Sequence, residues 1–236
     1  MTESKKPVAF VTGAGPGLGA SLARRFAKEY AVAINARSAD YVRGLADEIR
    51  GAGGTALAVP CDIGDRVQVE AAFRTIRERL GSPDVLLYNA GSGNWGTVSE
   101  ITPQQFEQSW RVNAFGAFVC AAECAKDMLS RGRGVMLFTG ATAGVKAGPR
   151  SVAFGPAKFA MRGLAQSLAR DLGPKGTHVA WVNIDGGIDV PGRTTGMPKE
   201  DLLDPDAIAE TYWHLAHQHR SAWTMEMELR PFKEKF

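Results

Sequence analysis

The stretch TGAGPGLG, residues 12–19, follows a short apolar run. It leads into residues 18–31, whose leucines and phenylalanine recur at helical spacing. A strand, a glycine-rich turn and a helix in this order favour dinucleotide binding, because the helix N-terminus offers free N–H groups to phosphate. Gly13 permits a tight turn, Gly17 lets a pyrophosphate approach, and Gly19 lets helix and strand pack closely. A purely structural turn is the alternative. The predicted contacts are Gly13, Gly15, Gly17, Leu18 and Gly19.

Apolar runs alternate with helical segments along the rest of the chain. The runs are continuous, which is typical of strands covered on both faces. Repeated βα units of this kind predict an α/β fold with a doubly wound parallel β-sheet. No linker divides the chain, so residues 1–236 are predicted to be a single domain, with 186–206 as a flexible substrate or cofactor loop. The predicted strands lie within 7–15, 31–38, 56–63, 84–91, 134–141, 178–185 and 223–236.

Composition excludes several classes of protein. A net charge of +3 with scattered basic residues argues against nucleic-acid binding, and no apolar run is long enough to span a membrane. The polar opening MTESKKP lacks the apolar run of a signal peptide, so a cytoplasmic protein is expected. Cys61, Cys120 and Cys124 are expected to be reduced thiols. The histidines within 213–220 have no neighbouring ligands that would complete a metal site.

Three further motifs accompany the glycine turn: CDI at 61–63, NAG at 89–91, and Asn113 within a long helix predicted for 102–131. Thr102 and the following proline are predicted to start that helix. Together with the spacing of the glycines, these motifs resemble the short-chain dehydrogenase/reductase family over almost the whole chain. The resemblance implies one Rossmann-fold domain that binds a nicotinamide cofactor.

The resemblance also implies roles for individual residues. Asp62 matches the residue that bonds the adenine amino group, with Ile63 beside the ring. Asn113 matches the residue that holds a water in a proton relay, and Lys158 matches the lysine that binds the nicotinamide ribose. A helix-kink asparagine and a solvated surface lysine are the alternatives for these two positions. Further cofactor contacts are implied for Asn89, Ala90, Gly91, Gly187 and Ile188.

The end of the second predicted strand favours NADP(H) over NAD(H). Members of the family that prefer NAD usually carry an acidic residue there, whereas this chain has Ala36, Arg37 and Ser38. A guanidinium binds a phosphate through two parallel hydrogen bonds. The alternatives are that Arg37 is solvated or stacks on adenine. Pro16 stands where the glycine turn often carries a basic residue.

Two departures from the family concern the reaction. The family's catalytic tyrosine lies four residues before the lysine, and its serine partner lies about thirteen residues earlier. Those positions hold Phe154 and Ala141, and strand alternation makes Thr142 the candidate replacement hydroxyl. The family's later PG motif and its threonine are also changed, with Gly186, Gly187, Thr194 and Thr195 in this part of the chain.

These changes leave three functions open. The first is a reductase that acts on a small carbonyl, imine or enone through a non-standard proton donor. The second is a non-catalytic NADP(H)-binding sensor or scaffold, and the third is isomerase or lyase chemistry in the same pocket. The candidate donors are Tyr88, Thr142, Asp185, a water held by Asn113 and Lys158, and the substrate itself.

The substrate side and the partners are less defined by sequence. Trp95 caps an apolar substrate or packs against a loop or neighbouring subunit, and Arg150 meets a carboxylate or lies on the surface. The resemblance implies a homodimer or homotetramer. Large residues on the two helices expected at that interface serve either the core or the interface: Phe115, Phe118, Met161, Leu164 and Leu168.

Overall fold

Seven parallel strands form one sheet in the computed structural model, which describes residues 6–193 and 196–234. Their order is β3-β2-β1-β4-β5-β6-β7, and each neighbouring pair is parallel. The order reverses between β1 and β4, so the predicted doubly wound α/β sheet is confirmed. The strands are β1 (Val8–Thr12), β2 (Ala31–Ile34), β3 (Thr55–Ala58), β4 (Val85–Tyr88), β5 (Gly134–Thr139), β6 (Thr177–Ile184) and β7 (Glu226–Leu229).

Helices cover both faces of this sheet. Helices α3, α5 and α6 pack on one face, and α1, α2 and α7 pack on the other. Strands β1, β2, β4 and β6 are buried at every position, as their continuous apolar sequences predict. The helices are α1 (Leu18–Ala27), α2 (Ala39–Gly51), α3 (Arg66–Arg79), α4 (Pro103–Trp110), α5 (Gly116–Arg131), α6 (Phe154–Leu172) and α7 (Pro205–Ala216).

The long helix predicted for 102–131 has a wide turn in its middle. It starts as predicted, because the Thr102 hydroxyl accepts from the Gln105 N–H at 3.2 Å and the Gln105 side chain accepts from the Thr102 N–H at 2.9 Å. Between α4 and α5, residues Arg111–Phe115 form a π turn. Turns of this kind occur frequently at functional sites.

The predicted loop 186–206 is wrong at its C-terminal end. Helix α7 begins at Pro205, because the Asp204 carboxylate accepts from the Asp206 N–H at 2.8 Å and caps the helix. Part of the loop is also ordered, since Ile188 forms an isolated parallel bridge with Leu203. Thr194 and Thr195 lie outside the described residues. The domain limits 1–236 stay a prediction.

Two expectations from composition can be compared with the structure. Cys120 and Cys124 are buried free thiols, and Cys61 is a half-buried free thiol. Burial raises the pKa of Cys61 to about 11. Across 6–193 and 196–234, no helix combines the length and the apolar character that crossing a membrane requires.

A methyl group on Gly19 should destabilise the fold. An alanine Cβ would lie 2.3 Å from the Gly13 carbonyl oxygen, which is backbone and cannot rotate away. We expect Gly19→Ala to lower the free energy of unfolding by about 1–3 kcal/mol, measured by urea denaturation. Gly163→Ala is the control, because nothing lies within 4 Å of its new Cβ and alanine suits a helix interior. Equal urea midpoints for both variants would contradict the close packing at Gly19.

Candidate functional site

A cleft of about 180 Å³ opens where the carboxyl ends of β1 and β4 part. Ligands of open parallel sheets bind at this kind of position. A larger groove of about 610 Å³ lies around the amino ends of β1 and β4, away from the glycine turn, and we therefore regard the smaller cleft as the candidate site. The smaller cleft is lined by Gly13, Gly15, Asn35, Ala36, Arg37, Cys61, Asp62, Ile63, Ala90, Gly91, Ser92 and Val112.

Hydrogen bonds fix the glycine turn against the end of β4. The Asn89 side-chain amide donates to the Gly13 carbonyl at 3.0 Å. The Thr12 hydroxyl accepts from the backbone N–H groups of Asn89 at 3.1 Å and Ala90 at 3.2 Å. Gly13 has a φ of 65°, a conformation that favours glycine. The predicted pair of motifs, TGAGPGLG and NAG, therefore forms one joined unit.

The segment after β6 lies over the N-terminus of α1. A Cβ on Gly17, the residue that caps this helix, would lie 2.9 Å from Cγ2 of Val190. Leu18 begins α1 with its side chain buried. Gly187 and Ile188 belong to the same segment as Val190, but they do not line the 180 Å³ cleft. Sequence analysis did not identify Val190. Its contact with Gly17 depends on how the 186–206 loop folds over α1, which no local sequence pattern indicates.

The other end of the cleft holds the residues expected around adenine. The Asp62 carboxylate accepts from the Gly64 N–H at 2.9 Å, which fixes its orientation. Arg37 is exposed at the rim, while the Ser38 hydroxyl accepts from the Tyr41 N–H at 3.4 Å and caps α2. Asn35, which sequence analysis missed, donates to the carbonyl groups of Val59 and Cys61 at 3.1 Å each. An asparagine directly after a buried strand was the available signal.

Lys158 is a buried amine and not a surface lysine. Its residue is 4% exposed, and Nζ donates to the Thr139 carbonyl at 2.9 Å. Nζ also lies 5.4 Å from the centroid of the Phe154 ring. Burial in these surroundings lowers the pKa of Lys158 to about 7. Near neutral pH this amine can therefore both hold and release a proton.

Asn113 presents an acceptor to the same place. Its Nδ2 donates to the carbonyl groups of Ser92 at 2.9 Å and Ser109 at 2.8 Å, whereas the buried Oδ1 has no partner among the described residues. A Cβ on Gly91 would lie 3.5 Å from that Oδ1 and 3.8 Å from the Lys158 Nζ. Both polar atoms thus face Gly91, which lines the cleft. Because Asn113 also lies in the π turn, the helix-kink interpretation applies to it as well.

Tyr88 is not a proton donor to the cleft, and its prediction as a candidate is wrong. The side chain is fully buried, and its hydroxyl donates to the Val112 carbonyl at 2.5 Å. Burial raises the pKa of this hydroxyl well above its ordinary value. The single proton of Tyr88 is therefore held within the core.

The candidate replacement hydroxyl, Thr142, is also engaged. Its Oγ1 donates to Asp185 Oδ1 at 2.5 Å, and the other carboxylate oxygen accepts from Arg230 at 2.7 Å. In this arrangement the Thr142 hydroxyl can only accept a further hydrogen bond. Ala141 precedes it in an extended conformation and brings no hydroxyl.

The remaining predicted residues do not line the 180 Å³ cleft. Arg150 pairs with Glu100 at 3.1 Å on the surface, which favours its surface interpretation. Met161 is a core residue with no exposed area. Phe118 is 53% exposed on α5. Phe115, Leu164 and Leu168 are half-buried against the core.

The histidines near the end of α7 take part in ordinary side-chain contacts. His217 bonds to the Trp213 carbonyl at 2.7 Å and to the Tyr30 hydroxyl at 3.2 Å, while His219 bonds to Ser221 at 2.7 Å. In the described ranges there is no group of three or more metal-ligating side chains.

The chain is similar in sequence to several known proteins. A short-chain dehydrogenase/reductase of Hericium erinaceus is 36% identical over 207 residues, which cover 85% of this chain and 81% of that protein. A versicolorin reductase of Emericella nidulans is 35% identical over 170 residues, which cover 71% of this chain and 64% of that protein.

Solved structures with similar folds extend over almost the whole chain. A short-chain dehydrogenase from Rhodopseudomonas palustris superposes with a TM-score of 0.85 at 35% identity, covering 98% of this chain and 100% of that one. An alcohol dehydrogenase from Thermococcus sibiricus, complexed with 5-hydroxy-NADP, has a TM-score of 0.88 at 27% identity, covering 97% and 98%. The family model described as short chain dehydrogenase matches residues 7–196. The chain belongs to the short-chain dehydrogenase family.

Proposed function

We propose that this protein binds NADP(H) and reduces a small carbonyl, imine or enone without a tyrosine as proton donor. The observation that carries the proposal is the pair of polar atoms facing Gly91: the buried Lys158 amine and the Asn113 Oδ1 without a partner. A buried polar group without a partner is costly, so the pair favours a site that binds a hydroxyl or a water. The NADP complex of a metagenomic short-chain oxidoreductase, 28% identical to this chain, gives further support.

The residues of the cleft fit the parts of the cofactor. Gly13 and Gly15 line the cleft just before α1, whose N–H groups can bind phosphate, and Asp62 lies beside the position expected for adenine. Lys158 and Asn113 would hold the ribose hydroxyls and a water. Arg37, exposed at the rim, carries the charge that a 2′-phosphate requires. The cofactor, when bound, supplies a hydride to the substrate carbon.

The proton has to come from the Lys158 side of the site. Phe154 and Ala141 have no exchangeable side-chain proton, and the Thr142 proton is engaged with Asp185. An ammonium with a pKa of about 7 can pass a proton to the substrate through a water whose O–H donates to Asn113 Oδ1, and then take up a proton from solvent. Because a positioned tyrosine is absent, substrates that need little acid assistance, such as iminium ions and enones, suit this site better than simple ketones.

A non-catalytic NADP(H)-binding protein is the second candidate. It is favoured by the combination of Phe154, Ala141 and an engaged Thr142, which leaves no free hydroxyl at the positions of the family's tyrosine and serine. The two candidates differ in turnover. The reductase should oxidise NADPH with at least one member of a carbonyl, imine and enone panel, whereas the sensor or scaffold should bind NADPH with no oxidation above background.

We also propose a homodimer or homotetramer, with the exposed Phe118 in the interface.

Arg37→Ala should separate the two cofactors. Loss of a charged hydrogen bond to the 2′-phosphate should weaken NADPH binding roughly 10–100-fold and leave NADH binding nearly unchanged, measured by fluorescence titration. Arg43→Ala is the matched control, because Arg43 is an exposed arginine on α2 that pairs with Asp40. An equal loss for both cofactors would mean that Arg37 does not contact the phosphate.

Restoring the family's two hydroxyls should create or raise ketone reduction. We expect Phe154→Tyr combined with Ala141→Ser to increase kcat/KM for a simple ketone by about 10²–10⁴-fold, the contribution of a positioned general acid. The single variants are the controls, and Lys158→Met added to the double variant should remove most of the gain. If the double variant binds NADPH and gains no activity, the assignment of these two positions is wrong.

The buried amine of Lys158 should give stability a pH dependence. Its pKa of about 7 lies below the ordinary 10.5, so the unfolded chain binds more protons between these pH values and stability rises with pH there. Lys158→Met removes this effect. The stability gained by the variant over wild type should therefore be largest at pH 7 and below, and should fall by about 3–5 kcal/mol as pH approaches 10.5.

Urea denaturation of both proteins across this pH range, in the absence of cofactor, measures the difference. Lys146→Met controls for the loss of one lysine, because Lys146 is exposed. Parallel stability profiles for wild type and Lys158→Met would show that the amine is solvated and would contradict its role as a proton source.

A further inference from the structure

The loop after β4 carries an indole that is held in place and yet exposed. Gly96 forms a parallel bridge with Ser151, and its N–H donates to the Arg150 carbonyl at 2.7 Å. One residue earlier, Trp95 is 58% exposed. On the other side, the Asn94 amide donates to the Gln105 carbonyl at 3.0 Å. The backbone on both sides of the indole is therefore anchored, which distinguishes Trp95 from a tryptophan on a free loop.

The indole contacts Phe154, whose ring lies near the Lys158 amine. The ring centroids of Trp95 and Phe154 are 4.8 Å apart, with 45° between the ring planes. Nζ of Lys158 lies 5.4 Å from the centroid of the same Phe154 ring. The exposed indole and the buried amine thus both lie close to the same Phe154 ring. A flat molecule resting on Trp95 and Phe154 would lie beside the group that handles the proton.

Two charged groups from neighbouring segments are paired. Arg150 bonds to Glu100 at 3.1 Å, and Asp185 bonds to Arg230 at 2.7 Å. The two aromatic rings present an apolar surface, and the cation beside it is the Lys158 amine, 5.4 Å from the Phe154 ring centroid. Offset or edge-to-face contacts between aromatic rings stabilise a complex by more than the burial of their surface area contributes.

We propose that Trp95 and Phe154 form an aromatic wall that selects a flat aromatic carbonyl compound as the substrate. The ring of the substrate packs on the indole, and its carbonyl group points toward Lys158. The inference rests on the proposed reductase function, but the wall itself can be tested by binding alone. Phe154 then has a role of its own: its ring face contacts the substrate where a tyrosine would donate a proton.

The test compares two fused-ring ketones of similar size, 2-tetralone and 2-decalone. Only 2-tetralone has an aromatic ring, and its carbonyl group is not conjugated with that ring, so the two carbonyl groups have similar intrinsic reactivity. We expect wild type to prefer 2-tetralone about tenfold in kcat/KM with NADPH. Trp95→Ala should raise KM for 2-tetralone about tenfold, with little change for 2-decalone.

Two variants serve as controls. Trp95→Phe keeps an aromatic face and should retain most of the preference. Trp110→Ala removes another exposed tryptophan, on α4, and should leave the preference unchanged. Thermal unfolding of each variant shows whether it is folded.

Binding distinguishes failure of the wall from failure of the reductase proposal. Dissociation constants of both ketones are measured by ligand-observed NMR with NADPH present. Trp95-dependent binding of 2-tetralone, with no NADPH oxidation by it or by any member of the carbonyl, imine and enone panel, would overturn the reductase proposal and support the wall. Equal binding of both ketones, an unchanged preference in Trp95→Ala, or no binding of 2-tetralone at millimolar concentration would overturn the wall.

Discussion

The hydrogen bond from the Asn89 side chain to the Gly13 carbonyl, 3.0 Å long, joins the two strand ends between which the cleft opens. The Thr12 hydroxyl strengthens this junction by accepting from two consecutive N–H groups after β4. The ladder between β1 and β4 ends at the pair Thr12 and Tyr88, so beyond this pair side-chain hydrogen bonds hold the two segments together. The position of Gly91 follows from this junction.

The two polar atoms that face Gly91, Nζ of Lys158 and Oδ1 of Asn113, belong to segments that are far apart in sequence. Lys158 comes from α6 and is held by the carbonyl of Thr139 at the end of β5, whereas Asn113 comes from the π turn and is held by Ser92 after β4. Each side chain has a backbone partner that fixes its direction, and each leaves capacity for a ligand. Burying an amine without a carboxylate partner costs free energy, which is typical of groups whose pKa is adjusted for function.

The sequence predicted the repeated βα units, the glycine turn and the start of the long helix, because these are local patterns with known geometry. It overestimated β3, which ends at Ala58 because Pro60 lacks the N–H that a strand needs. The end of the 186–206 loop was predictable, since Asp204 followed by Pro205 is a typical helix start. The direction of the Tyr88 hydroxyl was not, because its acceptor belongs to the segment around the π turn, which no local pattern indicates.

The site has two halves of opposite character. The cleft is lined by Asp62, Arg37 and the glycine turn, whereas the Phe154 ring beside the Lys158 amine contacts Trp95. In the proposed reductase the proton comes through Lys158, because the Thr142 hydroxyl donates to a carboxylate that Arg230 already balances. Apolar surroundings lower the local dielectric, which favours the neutral amine and strengthens the hydrogen bonds that it makes. Under this proposal, the burial that lowers the pKa of Lys158 to about 7 is what would let its amine exchange a proton near neutral pH.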